Sequence, residues 1–238
     1  MTSGDINQAA LAAHGAARLP AVEVGRYNVE LKDDGGFVGD RASKGAFREF
    51  IEEWRKPLRA LGEDPFGKQP SSTIDKKRLD ELLAAGDSEA AAIESFAQRL
   101  AEVTQRFFRL KEWKQTERLV VGGGIAGTRA GEIAIGRASV ILKAENKVDI
   151  VTIRHEPNHA GLLGAAHLAP AWIFKGHDAS LAVDIGGTNI RAGLLELNLK
   201  RDPTLAKAKV LNHELWRHAD DTPSRDEAVD SLIRMLSG

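Results

Sequence analysis

The sequence has 238 residues, the scale of one large or two small domains. Its 33 Lys plus Arg against 34 Asp plus Glu leave a formal charge of −1, so no electrostatic case exists for nucleic acid or an anionic membrane. The absence of Cys excludes disulfides, thiolate catalysis and Cys-based zinc sites, and no apolar run reaches the roughly 20 residues of a membrane span.

Residues 1 to 19 read as a flexible lead-in. Their small residues lack a basic start and a continuous apolar stretch, so a cytoplasmic protein without signal peptide is expected. AVEVGRYNVELK (21 to 32) partly alternates and, with the turn signal DDGG (33 to 36), predicts a short hairpin. SKGAFREFIEEWRKPLRALG (43 to 62) predicts a helix with Phe47, Phe50, Ile51, Trp54 and Leu58 on one face, bent or interrupted at Pro57. EDPFGKQPSS (63 to 72) reads as a linker or exposed loop. Two helices should follow. The first is capped at Gly86. The second starts near Asp87 or Ser88 and carries the stripe Ala90, Ile93, Phe96, Leu100, Val103, Phe107 and Leu110.

Beyond residue 117 strands and helices alternate, which predicts an α/β layer. RLVV and VDIVTI are short apolar runs typical of buried strands, with the helical GEIAIGRASVILKA between them; GLLGAAHLAPAW is helical again. From 181 the period is two: a strand to Asp184, a GGT turn, the strand IRAGLLEL, and a third strand in AKVLNHELWR. SRDEAVDSLIRMLSG predicts a final helix, with Ser224 and Glu227 at capping-box spacing and an apolar stripe of Val229, Leu232, Ile233 and Leu236.

Three stretches bear on chemistry. HEPNH (155 to 159) matches the H-E-x-x-H metal motif literally. That motif needs both His one turn apart on a helix, whereas Pro157 forces Glu156 off helical angles and no third ligand is evident in sequence. His155 and His159 are therefore expected in a loop. GGGIAG places Gly122, Gly124 and Gly127 on the G-x-G-x-x-G pattern between a strand and a helix, where backbone can approach a pyrophosphate; Gly123 lies within it. Thr128 to Gly131 are expected to delay the helix, and a Gly-rich turn without a ligand stays open. The third stretch is LAVDIGGTNIRAG. Gly186 and Gly187 permit positive φ and let backbone N–H groups face phosphate oxygens, Thr188 adds a hydroxyl, and Asp184 can hold Mg2+ through water. Asn189 and Arg191 complete the nucleotide-binding candidates, although Arg191 can equally serve structure. A plain Gly-requiring hairpin is the alternative.

AVDIGGTNIRAG resembles the first phosphate motif of the ROK (repressor, ORF, kinase) sugar kinases, within the actin-like ATPase superfamily. RLVVGGGIAG is similar to the segment these proteins place against adenosine, and HAGLLGAAHLA resembles their closing helix. The likeness covers about residues 88 to 217. It implies an α/β, actin-like (ribonuclease H-like) fold binding ATP and Mg2+, with Asp184 toward the ion, Gly186, Gly187, Thr188, Asn189 and Arg191 at the phosphates, and Gly122, Gly123 and Gly124 near the nucleotide. The motif order is rearranged, since the GGG and GLLGAA segments precede the phosphate hairpin. Circular permutation would explain this, the closing helix being linked by APAWIFKGHDAS to the first strand.

The organisation expected is a 1–80 extension, an 81–178 half carrying GGG, and a 179–238 start of the phosphate-binding domain, leaving that second domain incomplete. The family's Asn-Asp pair, whose Asp is the catalytic base, has no counterpart here. The expected function is a truncated, inactive part of an ATP-dependent hexose kinase, with no catalytic residue of its own. Its partners would be a nucleotide and, in the complete protein, a sugar; a homodimer also fits. One alternative is a ROK-type regulator or sugar-binding protein, disfavoured by a start with neither paired short helices nor a basic patch. The other is a dinucleotide-dependent oxidoreductase using Gly122 to Gly127.

Overall fold

The computed structural model describes residues 29–85, 90–145, 148–169 and 171–237. The expected lead-in, the first part of the 21–32 strand, the Gly86 cap and the helix start at Asp87 or Ser88 lie outside these residues. The chain divides into two compact units, Val29–Arg154 and the residues from His155 onward. Both mix helices and strands, so the protein is α/β as the alternating pattern predicts.

The Val29–Arg154 unit opens with a small hairpin, β1 (Lys32–Asp33) and β2 (Gly36–Phe37), turning through Asp34 and Gly35. Helix α1 (Lys44–Leu61) starts where the Ser43 side chain accepts from the Ala46 N–H, and stops at Gly62, whose φ of 78° closes the left-handed cap. Pro57 neither breaks nor ends it. The bond lost there would have gone to the Glu53 carbonyl, and both residues lie on the exposed side, where water can serve instead. The buried face also differs from the predicted stripe. Phe47 and Ile51 are buried, but the next position at this four-residue spacing is a fully buried Arg55, while Phe50 and Trp54 are only partly covered.

Arg55 explains the loop that follows. Residues 63 to 72 are not a linker. Asp64 accepts from Arg55 Nε at 3.0–3.1 Å, Ser71 Oγ accepts from Nη1 at 2.8 Å, and the Gly67 carbonyl accepts from Nη2 at 3.2 Å. The loop is polar because it wraps a guanidinium, and it buries Phe66 and Ser71 in doing so.

Helices α2 (Lys76–Ala85) and α3 (Ala90–Phe108) continue the same core, which therefore runs across the boundary composition suggests near residue 80. Phe96 of α3 packs edge-to-face on Phe47, with ring centroids 5.0 Å apart. Strand β3 (Arg118–Val121), helix α4 (Arg129–Glu145) and strand β4 (Asp149–Thr152) form a parallel βαβ unit, registered from Arg118↔Asp149 to Val121↔Thr152. Buried Ala97 and Ala101 of α3 and Ala134 and Ala138 of α4 let these helices approach closely. β3 is less covered than an apolar run suggests, with Val120 54% exposed.

The second unit begins with α5 (Pro157–Leu168), followed by an antiparallel meander of β5 (Ala179–Ile185), β6 (Ile190–Glu196) and β7 (Lys209–Trp216). Period-two alternation fixes the register: Asp184↔Arg191↔Leu215 and Ala182↔Gly193↔His213 lie on one face of the sheet. Helix α5 packs there, burying Leu162, Leu163 and Ala166 against Ala182, Leu195 and Leu197. Gly193 is the contact point. A Cβ there would lie 2.8 Å from Leu162 Cδ1 and 2.9 Å from the Asn212 carbonyl oxygen, so only glycine admits the helix this close.

After a one-turn helix, α6 (His218–Asp221), the chain ends in α7 (Arg225–Ser237). Its predicted capping box is present: the Ser224 N–H donates to Glu227 Oε2 at 2.8 Å and the Glu227 N–H to Ser224 Oγ at 3.4 Å. Replacing Ser224 with alanine should cost about 1 kcal/mol of helix stability, read by urea denaturation of the two proteins. The apolar stripe of α7 remains open, with Val229 47% and Ile233 55% exposed. Among the described residues no helix is long and apolar enough to cross a membrane.

Candidate functional site

Asp184 stands at the end of β5, opposite Arg191 on β6. Arg191 Nη1 donates to Asp184 Oδ2 at 3.1 Å and Arg191 Nε to Asn158 Oδ1 at 3.1 Å, so one guanidinium ties the sheet to the first turn of α5. The Asp184 carboxylate lies directly over Gly161. A Cβ there would sit 2.3 Å from Oδ2. Arg191 is thus both a structural clasp and the charge partner of the proposed ion ligand, which settles the orientation that sequence left open.

The turn between these strands is built differently from the expectation. Neither Gly186 nor Gly187 takes a left-handed φ. The Gly186 N–H donates back to the Asn189 carbonyl at 2.9 Å and so is already engaged within the turn. The tightness comes from this cross-turn bond rather than from positive φ. Two further bonds from α6 fix the turn: His218 Nε2 meets the Gly186 carbonyl at 2.9 Å, and the Ala219 N–H donates to the Thr188 carbonyl at 3.2 Å. What the turn presents to solvent is Gly187 and Thr188, both exposed, beside a partly exposed Asp184. Backbone N–H groups free of side chains can face an anion, and a carboxylate oxygen can ligate a hard cation.

Gly122, Gly123 and Gly124 belong to the other unit. Gly123 has φ of 90° and its carbonyl accepts from Ala126, which turns the chain away from β3. Gly124 and Ile125 line a small cavity of about 80 Å³ with Phe47, Leu79, Leu83 and Thr128. Helix α4 begins at Arg129, sooner than the sequence suggests, and its first N–H groups have a partner. Asp80 on α2 accepts from the Arg129 N–H at 2.9 Å and from the Ala130 N–H at 2.7 Å. A dinucleotide fingerprint needs that terminus for a pyrophosphate. Here a protein carboxylate fills it, which argues against the oxidoreductase alternative.

The HEPNH stretch does not form a loop throughout. Pro157 is the first residue of α5, and Glu156, held extended at φ −55° and ψ 134°, is its N-cap. Its side chain reaches forward into the first turn, accepting from the Asn158 N–H at 3.4 Å through Oε1. The proline splits the motif, leaving His155 exposed in the preceding bend and His159 on the helix. His159 Nε2 lies 3.1 Å from Glu156 Oε2 and 3.3 Å from His213 Nδ1 of β7. The two rings meet edge to face, with centroids 4.7 Å apart.

Asn158, Gly161, His213, His218 and Asp80 were not singled out by sequence. His213 lies 54 residues from its partner and on a different element, a separation that no motif spacing encodes. Comparison with protein-family models, with curated proteins and with solved structures finds no match.

Proposed function

We propose that the chain carries the nucleotide-handling part of an ATP-dependent sugar kinase of ROK type, with an actin-like fold in permuted order. The observation that carries this reading is the β5–turn–β6 hairpin, with a strand-end carboxylate fixed over a glycine of the packed helix. Antiparallel β5, β6 and β7 followed by helices agree with the start of such a domain.

In this reading Asp184 would hold Mg2+ through water, with Gly187 and Thr188 at the phosphates. The ion would offset phosphate charge, since phosphoryl transfer relies on positioning and charge stabilisation. Arg191 keeps the carboxylate oriented. Gly186 and Asn189 shape the turn. No Asn-Asp pair occurs in these 238 residues, so no group is assigned as base for the sugar hydroxyl.

Calorimetry with Mg·ATP tests the assignment. Wild-type protein should bind it, Asp184→Ala should weaken binding about tenfold or more, a loss of roughly 1.4 kcal/mol, and a coupled ADP-release assay over a hexose panel should show no turnover. NAD binding indifferent to Asp184, or ATP binding unchanged in Asp184→Ala, refutes the reading. Gly161→Ala offers a second route to the same answer. The added methyl would displace the Asp184 carboxylate without removing it, and alanine favours the helix by about 1 kcal/mol. We expect a folded protein, by circular dichroism, whose Mg·ATP affinity falls as in Asp184→Ala.

A further inference from the structure

Among the described residues, Glu156, His159 and His213 form a three-residue group of metal-ligating side chains, with their ligand atoms all within 4.8 Å of one another. We propose that they hold one divalent ion of the zinc class, with three protein ligands and an open fourth position. This site is separate from the Mg2+ role given to Asp184 and does not depend on the kinase reading.

The ligand distances carry the argument. Two ligand atoms each about 2.0–2.1 Å from one ion and set at a tetrahedral angle lie about 3.3–3.4 Å apart. His159 Nε2 and His213 Nδ1 are 3.3 Å apart, and His159 Nε2 and Glu156 Oε2 are 3.1 Å apart. As a plain hydrogen-bonded cluster the group is poorly matched. His159 Nε2 faces two acceptor-capable atoms, and a neutral imidazole nitrogen has either one proton or one lone pair for both. An ion with all three as ligands removes that conflict.

Preorganisation supports it. The Glu156 carboxylate is anchored through its other oxygen by the Asn158 N–H, which turns Oε2 toward His159. Pro157 fixes the extended backbone that makes this reach possible. His213 is delivered by β7 opposite Gly193, the residue whose missing side chain brings α5 down onto the sheet. Two imidazoles and one carboxylate select a borderline transition metal over Mg2+ or Ca2+, which take oxygen ligands. Glu156 is exposed and both His are half-buried, so solvent reaches the remaining position. Three protein ligands with an accessible fourth is the arrangement of zinc sites that bind water or an anion.

The test uses the full 238-residue chain, without a histidine tag, stripped of metal by chelator. Zn2+ calorimetry should give one saturable site per chain. His159→Ala and His213→Ala should each weaken it by more than about 100-fold, beyond the 10–100-fold typical of losing an outer partner. Glu156→Gln keeps the shape and should also weaken binding, while His155→Ala should leave it unchanged. Circular dichroism of the metal-free proteins guards against misfolding, and Glu156→Gln keeps the question answerable if a His variant fails to fold. Co2+ substitution should give the visible absorption of a four- or five-coordinate ion, shifted by added thiocyanate. Absence of saturable Zn2+ binding, or loss in His155→Ala equal to that in His213→Ala, overturns the site. A Co2+ spectrum indifferent to saturating thiocyanate overturns the open position.

Discussion

Gly131→Ala should destabilise the Val29–Arg154 unit by about 3 kcal/mol or more, at or beyond the upper end of what overpacking usually costs. Glycine inside a helix normally weakens it, and alanine is normally the better residue by about 1 kcal/mol. Here the sign reverses for a steric reason. The 122–128 loop folds back on the first turn of α4, and a Cβ at 131 would lie 1.8 Å from the Ile125 carbonyl oxygen and 2.7 Å from its carbon. Those are backbone atoms. The same Ile125 carbonyl accepts from Thr128 Oγ1 at 2.7 Å and from the Thr128 N–H at 3.0 Å, so it cannot swing away without breaking the turn that starts the helix. Gly136 is the internal control. It is exposed in the same helix with nothing within 4 Å of its would-be Cβ, and Gly136→Ala should stabilise by about 0.5–1 kcal/mol. Urea denaturation of the three proteins decides it. Equal midpoints for the two variants would show that the loop does not sit on the helix as described.

Arg55→Leu should cost about 3 kcal/mol, at the low end for breaking a buried pair, because the buried Asp64 carboxylate loses its buried partner but keeps a more exposed one. The Asp64 side chain is 4% exposed and is left with Arg59 Nε, at 2.8 Å, and the Phe66 N–H, at 2.9 Å. Leu at both 55 and 64 should recover part of the loss, since removing both charges leaves neither unpaired; a double-mutant cycle reads the coupling. Burial alone would raise the Asp64 pKa, but hydrogen bonds from Arg55, Phe66 and Arg59 outweigh it and hold the group below its usual value. Glu52 is lowered to about 2, first by the hydrogen bond from Arg59 and then by that from Ser71. Both folded values lie below the unfolded ones of about 3.9 and 4.3. The stabilisation is therefore full above about pH 5 and fades as pH falls toward 2. The acid unfolding transition of wild-type protein should fall in that window, and Arg55→Leu should move it to higher pH. Ellipticity followed from pH 7 to 2 measures both.

Neither the buried Arg55 nor its loop could be read from the sequence. Phe47, Ile51 and Arg55 keep a four-residue spacing, yet a charged residue at the third position reads as a solvent-facing one until its partners are known. Those partners come from residues 64, 67 and 71, whose turn-forming composition reads as an exposed linker. Composition records that a segment is polar. It does not record whether the polar groups face water or one another.

The candidate site divides in the same way. Its frame was legible: the strand carrying Asp184, which runs one residue further to Ile185, the turn, and the return strand follow from period-two alternation, and the Ser224–Glu227 capping box from its three-residue spacing. Its detail was not. Arg191 lies near Asp184 in sequence, but its direction is set by Asn158 on a helix that sequence cannot place over the sheet. The tightness of the turn at Gly186 rests on a cross-turn bond to Asn189 that residue types alone do not specify.

What the sequence determined by itself is whatever local periodicity and backbone chemistry decide: which stretches are helix or strand, where several of them stop, and that Pro157 would hold Glu156 outside the helix. What only tertiary structure decided is every pairing between elements: Asp80 on the start of α4, Gly161 beneath Asp184, and His213 against His159. The reason is physical. Local conformation depends on neighbours in the chain, whereas a ligand set or a cap depends on distances between side chains that the packed core alone brings within bonding range.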